Sequence, residues 1–111
     1  MDKALKYKKI LTDYLQSLTR DWTNNPSEEV QVVCDKEGRH FLVVYYGWSQ
    51  QGHLHSTPIH LEIKDNKVWI QENLTEIEVD DDLVAQGIPK SDIVLGVLPP
   101  EYRKYSGFAV V

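Results

Sequence analysis

The sequence has little of what builds disulfide-linked, multi-cysteine metal or membrane-spanning proteins. Its 111 residues include one cysteine, which excludes an internal disulfide and a zinc site made of several cysteines. No apolar run approaches the ~20 residues that a membrane-spanning helix needs. The first residues are charged and lack the apolar stretch of a signal peptide, so we expect a cytoplasmic protein without membrane contact.

Positive charge is also scarce. Lys and Arg number 12 against 17 Asp and Glu, which gives a net charge of −5. A protein that holds DNA by itself normally presents an excess of positive charge, so direct nucleic-acid binding is not expected. Hydrophobic residues make up 41% of the chain, as in ordinary folded proteins, and the length predicts one domain over residues 1–111.

The N-terminal segment has the periodicity of an amphipathic helix. Apolar side chains recur at spacings of three and four residues over 2–22, behind Asp2 as a suitable N-cap. The stripe comprises Tyr7, Ile10, Leu11, Tyr14, Leu18 and Trp22. Because lysines crowd the first turns, where the helix dipole disfavours them, we expect tertiary packing to hold this helix in place.

The segment 29–72 predicts a sheet. Val30, Val32 and Cys34 alternate with polar residues, which indicates a strand with Cys34 in the core. Residues 41–48 are apolar or aromatic at odd-numbered and even-numbered positions alike, which is typical of a strand covered on both faces. One helix covers one face, so the other face needs the C-terminal segment or a second subunit.

A hairpin is predicted around the Asp-Asn pair at 65–66, since both residue types tolerate the positive φ of a two-residue turn. The resulting register sets Glu62 opposite Trp69 and His60 opposite Gln71. It also gathers four apolar side chains on one face, as a core requires: Leu61, Ile63, Val68 and Ile70. The other face is polar except for Trp69.

The C-terminal part predicts a short second helix. Three Asp at 80–82 precede an apolar turn at 83–86, and Gly87 and Pro89 follow it, which are start and stop signals of a helix. Residues 107–111 are apolar and are predicted to dock as a last strand. The fold class is therefore α+β, with a long N-terminal helix packed on a mostly antiparallel sheet and a short second helix after the central hairpin.

Two patterns resemble parts of known metal sites. Gly47 followed by His53 and His55 matches the opening of a cupin metal motif, but the expected Glu is replaced by Ile59 and His60. We therefore interpret these two histidines as solvated loop residues.

The second pattern, Glu62-x-Lys64, resembles half of a metal-dependent nuclease motif. That site also needs an upstream Asp, for which the nearby choice is Asp35 in a predicted turn. The carboxylates at 80–82 are explained by their position at a helix N-terminus. We expect no catalytic residue, no metal and no cofactor.

Aromatic residues of the sheet suggest a protein-contact surface, because Trp and Tyr are enriched at interface hot spots. Trp69 is the least easily explained as core, since the hairpin register sets it on the polar face; a locally covered indole is the alternative. The predicted partner-binding patch consists of Trp48, His60, Glu62 and Trp69.

The sequence resembles the XisI family over essentially its whole length. The strings that carry the resemblance are residues 47–48, 58–72, 75–76, 83–96, 99–103 and 108–110, including PIHLEIKDNKVWIQE and LVAQGIPKSDIVLG. Residues 24–40 and 49–57 are less distinctive.

The family is named for the fdxN element excision controlling factor of heterocyst-forming cyanobacteria, which acts beside a second factor, XisH, so that a separate site-specific recombinase excises a DNA element. The resemblance implies a small non-catalytic controlling or accessory factor that acts through protein contacts. We expect an XisH-like partner and, in addition, a homodimer. Two alternatives stay open, namely a general interaction or dimerisation module unrelated to DNA rearrangement and a small metal-dependent nuclease.

Overall fold

The computed structural model describes residues 2–110. The helices and strands, in chain order, are α1 (Lys3–Thr19), β1 (Glu28–Cys34), β2 (His40–Ser49), β3 (Gly52–Lys64), β4 (Lys67–Asn73), α2 (Val79–Ala85) and β5 (Ile93–Leu95). Two short 3-10 helices, Lys90–Asp92 and Pro100–Tyr105, lie on either side of β5 in the chain. The predicted fold class is confirmed.

The sheet has five strands in the order of the chain. The first four are antiparallel neighbours, and β5 lies beside β4 in parallel. Parallel neighbours need a crossover, and the crossover here contains α2. Val79 and Leu83 of α2 belong to the same buried core as the apolar stripe of α1, so both helices lie on one side of the sheet.

The first helix begins where the sequence predicts and ends earlier. The Asp2 carboxylate accepts a hydrogen bond from the Ala4 backbone N–H at 3.2 Å and so caps it. The helix ends at Thr19, and Trp22 packs against the edge of the core from the following loop. The helix buries Tyr7, Leu11, Tyr14, Leu15 and Thr19.

Two buried tyrosines tie α1 to the C-terminal half of the chain. The Tyr7 hydroxyl donates to the Asp92 carboxylate, and the Tyr14 hydroxyl donates to Asp82 of α2 at 2.6 Å. Burial, followed by the bond to Asp92, raises the pKa of Tyr7 to about 12. Burial and the bond to Asp82 likewise raise the pKa of Tyr14 well above its usual range. Both hydroxyls are therefore protonated donors at neutral pH.

The central hairpin has the predicted turn and, next to it, the predicted register. Asp65 and Asn66 adopt positive φ values of 55° and 60°, and the four pairs nearest the turn are as expected. The fifth pair differs, because His60 lies opposite Glu72 and not Gln71. A bulge in β4 inserts one residue at this point and shifts the pairing beyond it.

The C-terminal residues dock on the protein without forming the predicted strand. Residues 107–110 are irregular, although the backbone N–H of Ala109 donates to the Ile93 carbonyl at 2.8 Å. The sheet therefore ends at β5. Val111 lies outside the described residues.

Cys34 is exposed, so its predicted core position is wrong. It is the last residue of β1, which is an edge strand of the sheet. Its alternation partners Val30 and Val32 do pack against the core, as half-buried side chains. The alternation therefore predicted the correct face of the strand, and Cys34 is exposed because it is the last residue of that strand.

Candidate functional site

The side of the sheet opposite the two helices is open over its first three strands. Phe41 and Val43 of β2 are fully buried in the core on the helix side. Side chains alternate along a strand, and the pairing of β2 with β1 has no irregularity. The opposite side of β2 therefore carries Leu42, Val44, Tyr46 and Trp48. We call this side of β1, β2 and β3 the open sheet face.

Two histidines of β3 lie beside the aromatic residues of this face. His53 is opposite Trp48 with ring centroids 5.0 Å apart, and His55 is opposite Tyr46 with centroids 6.4 Å apart. The Trp48 side chain nevertheless stays 63% exposed. The two histidines belong to a strand, so their predicted loop position is wrong, although both are solvent-exposed as expected.

The other two histidines of the chain meet on the same face. His40 Nδ1 and His60 Nε2 are 3.0 Å apart. Glu62 lies opposite His40, with its Oε2 3.7 Å from His40 Nε2, and its Oε1 accepts a hydrogen bond from Gln71 at 3.0 Å. Burial and the charge of His40 lower the pKa of His60, against the opposing effect of Glu62 and Glu72. His60 is therefore held neutral, with one ring nitrogen donating and the other accepting.

Three members of the predicted patch lie on the open sheet face, but they do not form one cluster. Trp48 is eight residues along β2 from His40, a distance of about 26 Å at the usual rise of a strand. The His60–Glu62 pair therefore sits at one end of the face and the indole at the other. His40 was not among the residues predicted for the patch. Its spacing of two residues from Leu42 is the signal that would have placed it on this side of β2.

Trp69 projects to the same side of the sheet but is buried, at 7% exposure. The Arg103 guanidinium lies 5.2 Å from its ring centroid and Lys64 Nζ lies 4.5 Å away. Val94 and Ala109 complete the buried cluster. The interpretation of Trp69 as an accessible patch residue is therefore wrong, because Arg103 and Ala109 of the C-terminal segment pack against it.

Comparison with known proteins identifies the fold that carries this face. The family model described as XisI protein matches residues 1–110. The chain belongs to the XisI family. Among solved structures it is similar to a XisI-like protein from Anabaena variabilis, with 33% identity, a TM-score of 0.90, and coverage of 97% of this chain and 99% of that one. The resemblance read from the sequence is confirmed.

A second solved structure, the fdxN element excision controlling factor XisI from Anabaena variabilis, shares the XisI fold with this chain. The identity is 24% and the TM-score 0.83, with 99% of this chain and 100% of that chain covered. No curated protein matches.

The other sequence candidates do not converge in this XisI family member. Among residues 2–110, no group of three His, Cys, Asp or Glu side chains is arranged to hold a metal ion. Asp35 accepts hydrogen bonds from the backbone N–H groups of Arg39 and His40 in its turn, at 2.6 and 2.8 Å. The three Asp at 80–82 form the first turn of α2, as predicted. Within the same described range, no helix is long and apolar enough to cross a membrane.

The XisI fold also leaves a concave surface on the helix side, at the sheet end beyond Thr19, where α1 stops. This groove has a volume of about 630 Å³. It is lined mainly by Trp22, Tyr45, Leu54, Pro58 and Ile77. The Tyr45 hydroxyl donates to Glu28 at 2.7 Å, and Glu76 lies on the groove wall. The groove is separate from the open sheet face, because the two lie on opposite sides of the sheet.

Proposed function

We propose that this chain is a non-catalytic controlling or accessory factor in the excision of a DNA element by a separate site-specific recombinase. Membership of the XisI family supports this role, as does the fold shared with an excision controlling factor. The observation that carries the mode of action is the open sheet face, where the central strand presents four apolar or aromatic side chains away from the core. Exposed apolar patches of this kind mark protein contacts.

The proposal assigns the contact to Trp48, His60 and Glu62, and it no longer includes Trp69. An XisH-like protein is the partner that the family resemblance implies, and the cytoplasm is the compartment where the two proteins would meet the DNA. Direct DNA binding forms no part of the proposal, since a net charge of −5 opposes contact with phosphates.

An excision reporter tests the role directly. Cells carry the element, its recombinase and the XisH-like protein, and excision is measured by amplification across the rejoined junction with and without this chain. We expect excision to rise when the chain is present, and to fall at least tenfold with Trp48→Ser. Tyr105→Ser is the matched control, since Tyr105 is 75% exposed in the C-terminal 3-10 helix. Excision that is indifferent to the chain would favour the general interaction module.

The nuclease alternative has its own measurement. Purified protein is incubated with plasmid DNA and Mg²⁺ or Mn²⁺, with Glu62→Ala as the comparison. We expect intact plasmid in both reactions, because the Glu62 carboxylate is engaged by Gln71 and faces His40. Cleavage by the wild type that Glu62→Ala abolishes would replace the proposed function with an enzymatic one.

A further inference from the structure

We propose that two copies of this chain associate face to face through the open sheet face, with β2 of each copy at the centre of the contact. The inference rests on the protein-contact role proposed above, and it assigns the open sheet face to a second copy of this chain in place of the XisH-like protein. It rests on three properties of the face, namely its apolar centre, its distribution of charge and its size.

The apolar centre is a continuous stripe along β2. Trp48 is 63% exposed and Val33 of the neighbouring strand β1 is 43% exposed, while the other apolar side chains of the stripe are half-buried. The residues of the C-terminal segment that cover Trp69 on β4 are Arg103 and Ala109. A sheet face of this composition is normally covered by a second layer about 10 Å away.

The charges of the face favour a second copy over a strongly charged partner. The chain carries −5 overall, so two copies repel each other wherever carboxylates are dense. On the open sheet face the carboxylates of Glu29, Glu62 and Glu72 lie toward the margins, and the space between them holds apolar and imidazole groups. Imidazole groups can hydrogen-bond to their own two-fold copies across such a contact.

The size of the face is just sufficient for a specific interface. Three strands about 4.8 Å apart and ten residues long at about 3.3 Å per residue span about 15 by 33 Å. Two such faces bury about 1,000 Å² in total, which is the lower limit for a specific interface. We therefore expect a reversible dimer at the small end of specific interfaces.

The histidines make this association sensitive to acid. Protonation adds positive charge to both faces at once, and these charges would then oppose each other across the contact. His60 is half-buried and is surrounded by His40, Glu62 and Glu72, from β2, β3 and β4. His53 and His55 face Trp48 and Tyr46 and are exposed.

Analytical ultracentrifugation of the full chain from about 1 to 200 μM tests the proposal. We expect the mass to rise from 12.8 kDa toward twice that value at pH 7.5, and the dissociation constant to increase at least tenfold at pH 5.5. Val44→Lys and Trp48→Ser should each weaken the dimer at least tenfold, whereas Tyr105→Ser should leave it unchanged. Circular dichroism of each variant shows whether it remains folded.

Three results would overturn the inference. They are a strict monomer at about 200 μM, a dimer that both substitutions on the face leave intact, and a dimer of equal strength at the two pH values. A monomer that binds an XisH-like protein through Trp48 would assign the face to that partner. If the protein is a monomer and still promotes excision, the dimer is refuted and the proposed function is retained. If the protein is a dimer and has no effect on excision, the proposed function is refuted and the dimer is retained.

Discussion

Replacing Tyr7 by Phe tests how firmly α1 is anchored to the C-terminal half of the chain. The Tyr7 hydroxyl donates to the Asp92 carboxylate, which is itself 8% exposed. Lys3 Nζ also contacts this carboxylate at 3.0 Å, but the lysine side chain is half-exposed and contributes little. A hydrogen bond to a charged group contributes about 1.5–3 kcal/mol. We therefore expect Tyr7→Phe to lower the free energy of unfolding by about 2 kcal/mol.

Urea and thermal unfolding measure this loss. With an unfolding entropy of about 2.1 cal/mol/K per residue, a chain of this length loses about 4 °C in Tm per kcal/mol, so the expected decrease is about 9 °C. Tyr105→Phe is the matched control, because Tyr105 is largely exposed and its change should stay within about 0.5 kcal/mol. Equal stability of Tyr7→Phe and the wild type at pH 7 would refute the reasoning.

The same substitution predicts a pH dependence. Burial alone would raise the pKa of Asp92, but the bonds from Tyr7 and Lys3 outweigh it and hold the pKa below its usual range. A carboxyl group of this kind adds stability above its unfolded pKa of about 3.9 and loses that stability as the pH falls through the folded pKa. The difference between the wild type and Tyr7→Phe should therefore be complete at pH 7 and shrink below about pH 4. A difference that stays constant down to pH 2 would contradict this account.

Two further substitutions test the packing around the sheet. Gly47→Ala should cost more than about 3 kcal/mol, because a Cβ would lie 2.1 Å from the Ser27 carbonyl oxygen at a φ of +137°. Gly52→Ala is the control, because Gly52 also has a positive φ but no neighbour within 4 Å of the added Cβ. Equal losses of unfolding free energy for the two variants in urea would show that the contact with Ser27 is not the cause. Arg103→Ala should cost about 2 kcal/mol, since its Nε donates to two backbone carbonyls. It should also make tryptophan fluorescence easier to quench with acrylamide, and unchanged quenching would show that Arg103 does not shield Trp69.

Features set by neighbouring residues were predictable from the sequence. The hairpin register followed from one Asp-Asn turn and the alternation around it, all within about ten residues. The stripe on α1 and the capping role of Asp2 were predictable for the same reason. The bulge that sets His60 opposite Glu72 was not, because nothing in the alternation near Gln71 shows that a residue is left out of the pairing.

Features set by distant segments could not be predicted. The hairpin alone predicts that Trp69 is exposed. Its burial depends on Arg103 and Ala109, which lie more than 30 residues later in the chain. The exposure of Cys34 depends on β1 ending at this residue, beyond the part of the strand that the core covers. The two-sided apolar pattern of 41–48 correctly predicted apolar side chains on both sides of β2, and the cover of the open side by a second subunit stays a prediction.

The Tyr7–Asp92 contact joins residues 85 positions apart in the chain, whereas the first four strands pair with their immediate neighbours. Short-range pairings of this kind close small loops and form early, while a contact across such a separation carries a large loop-closure entropy. The antiparallel meander can therefore assemble before α1 is secured to the start of β5. Weakening that late contact would chiefly speed unfolding and leave the folding rate nearly unchanged.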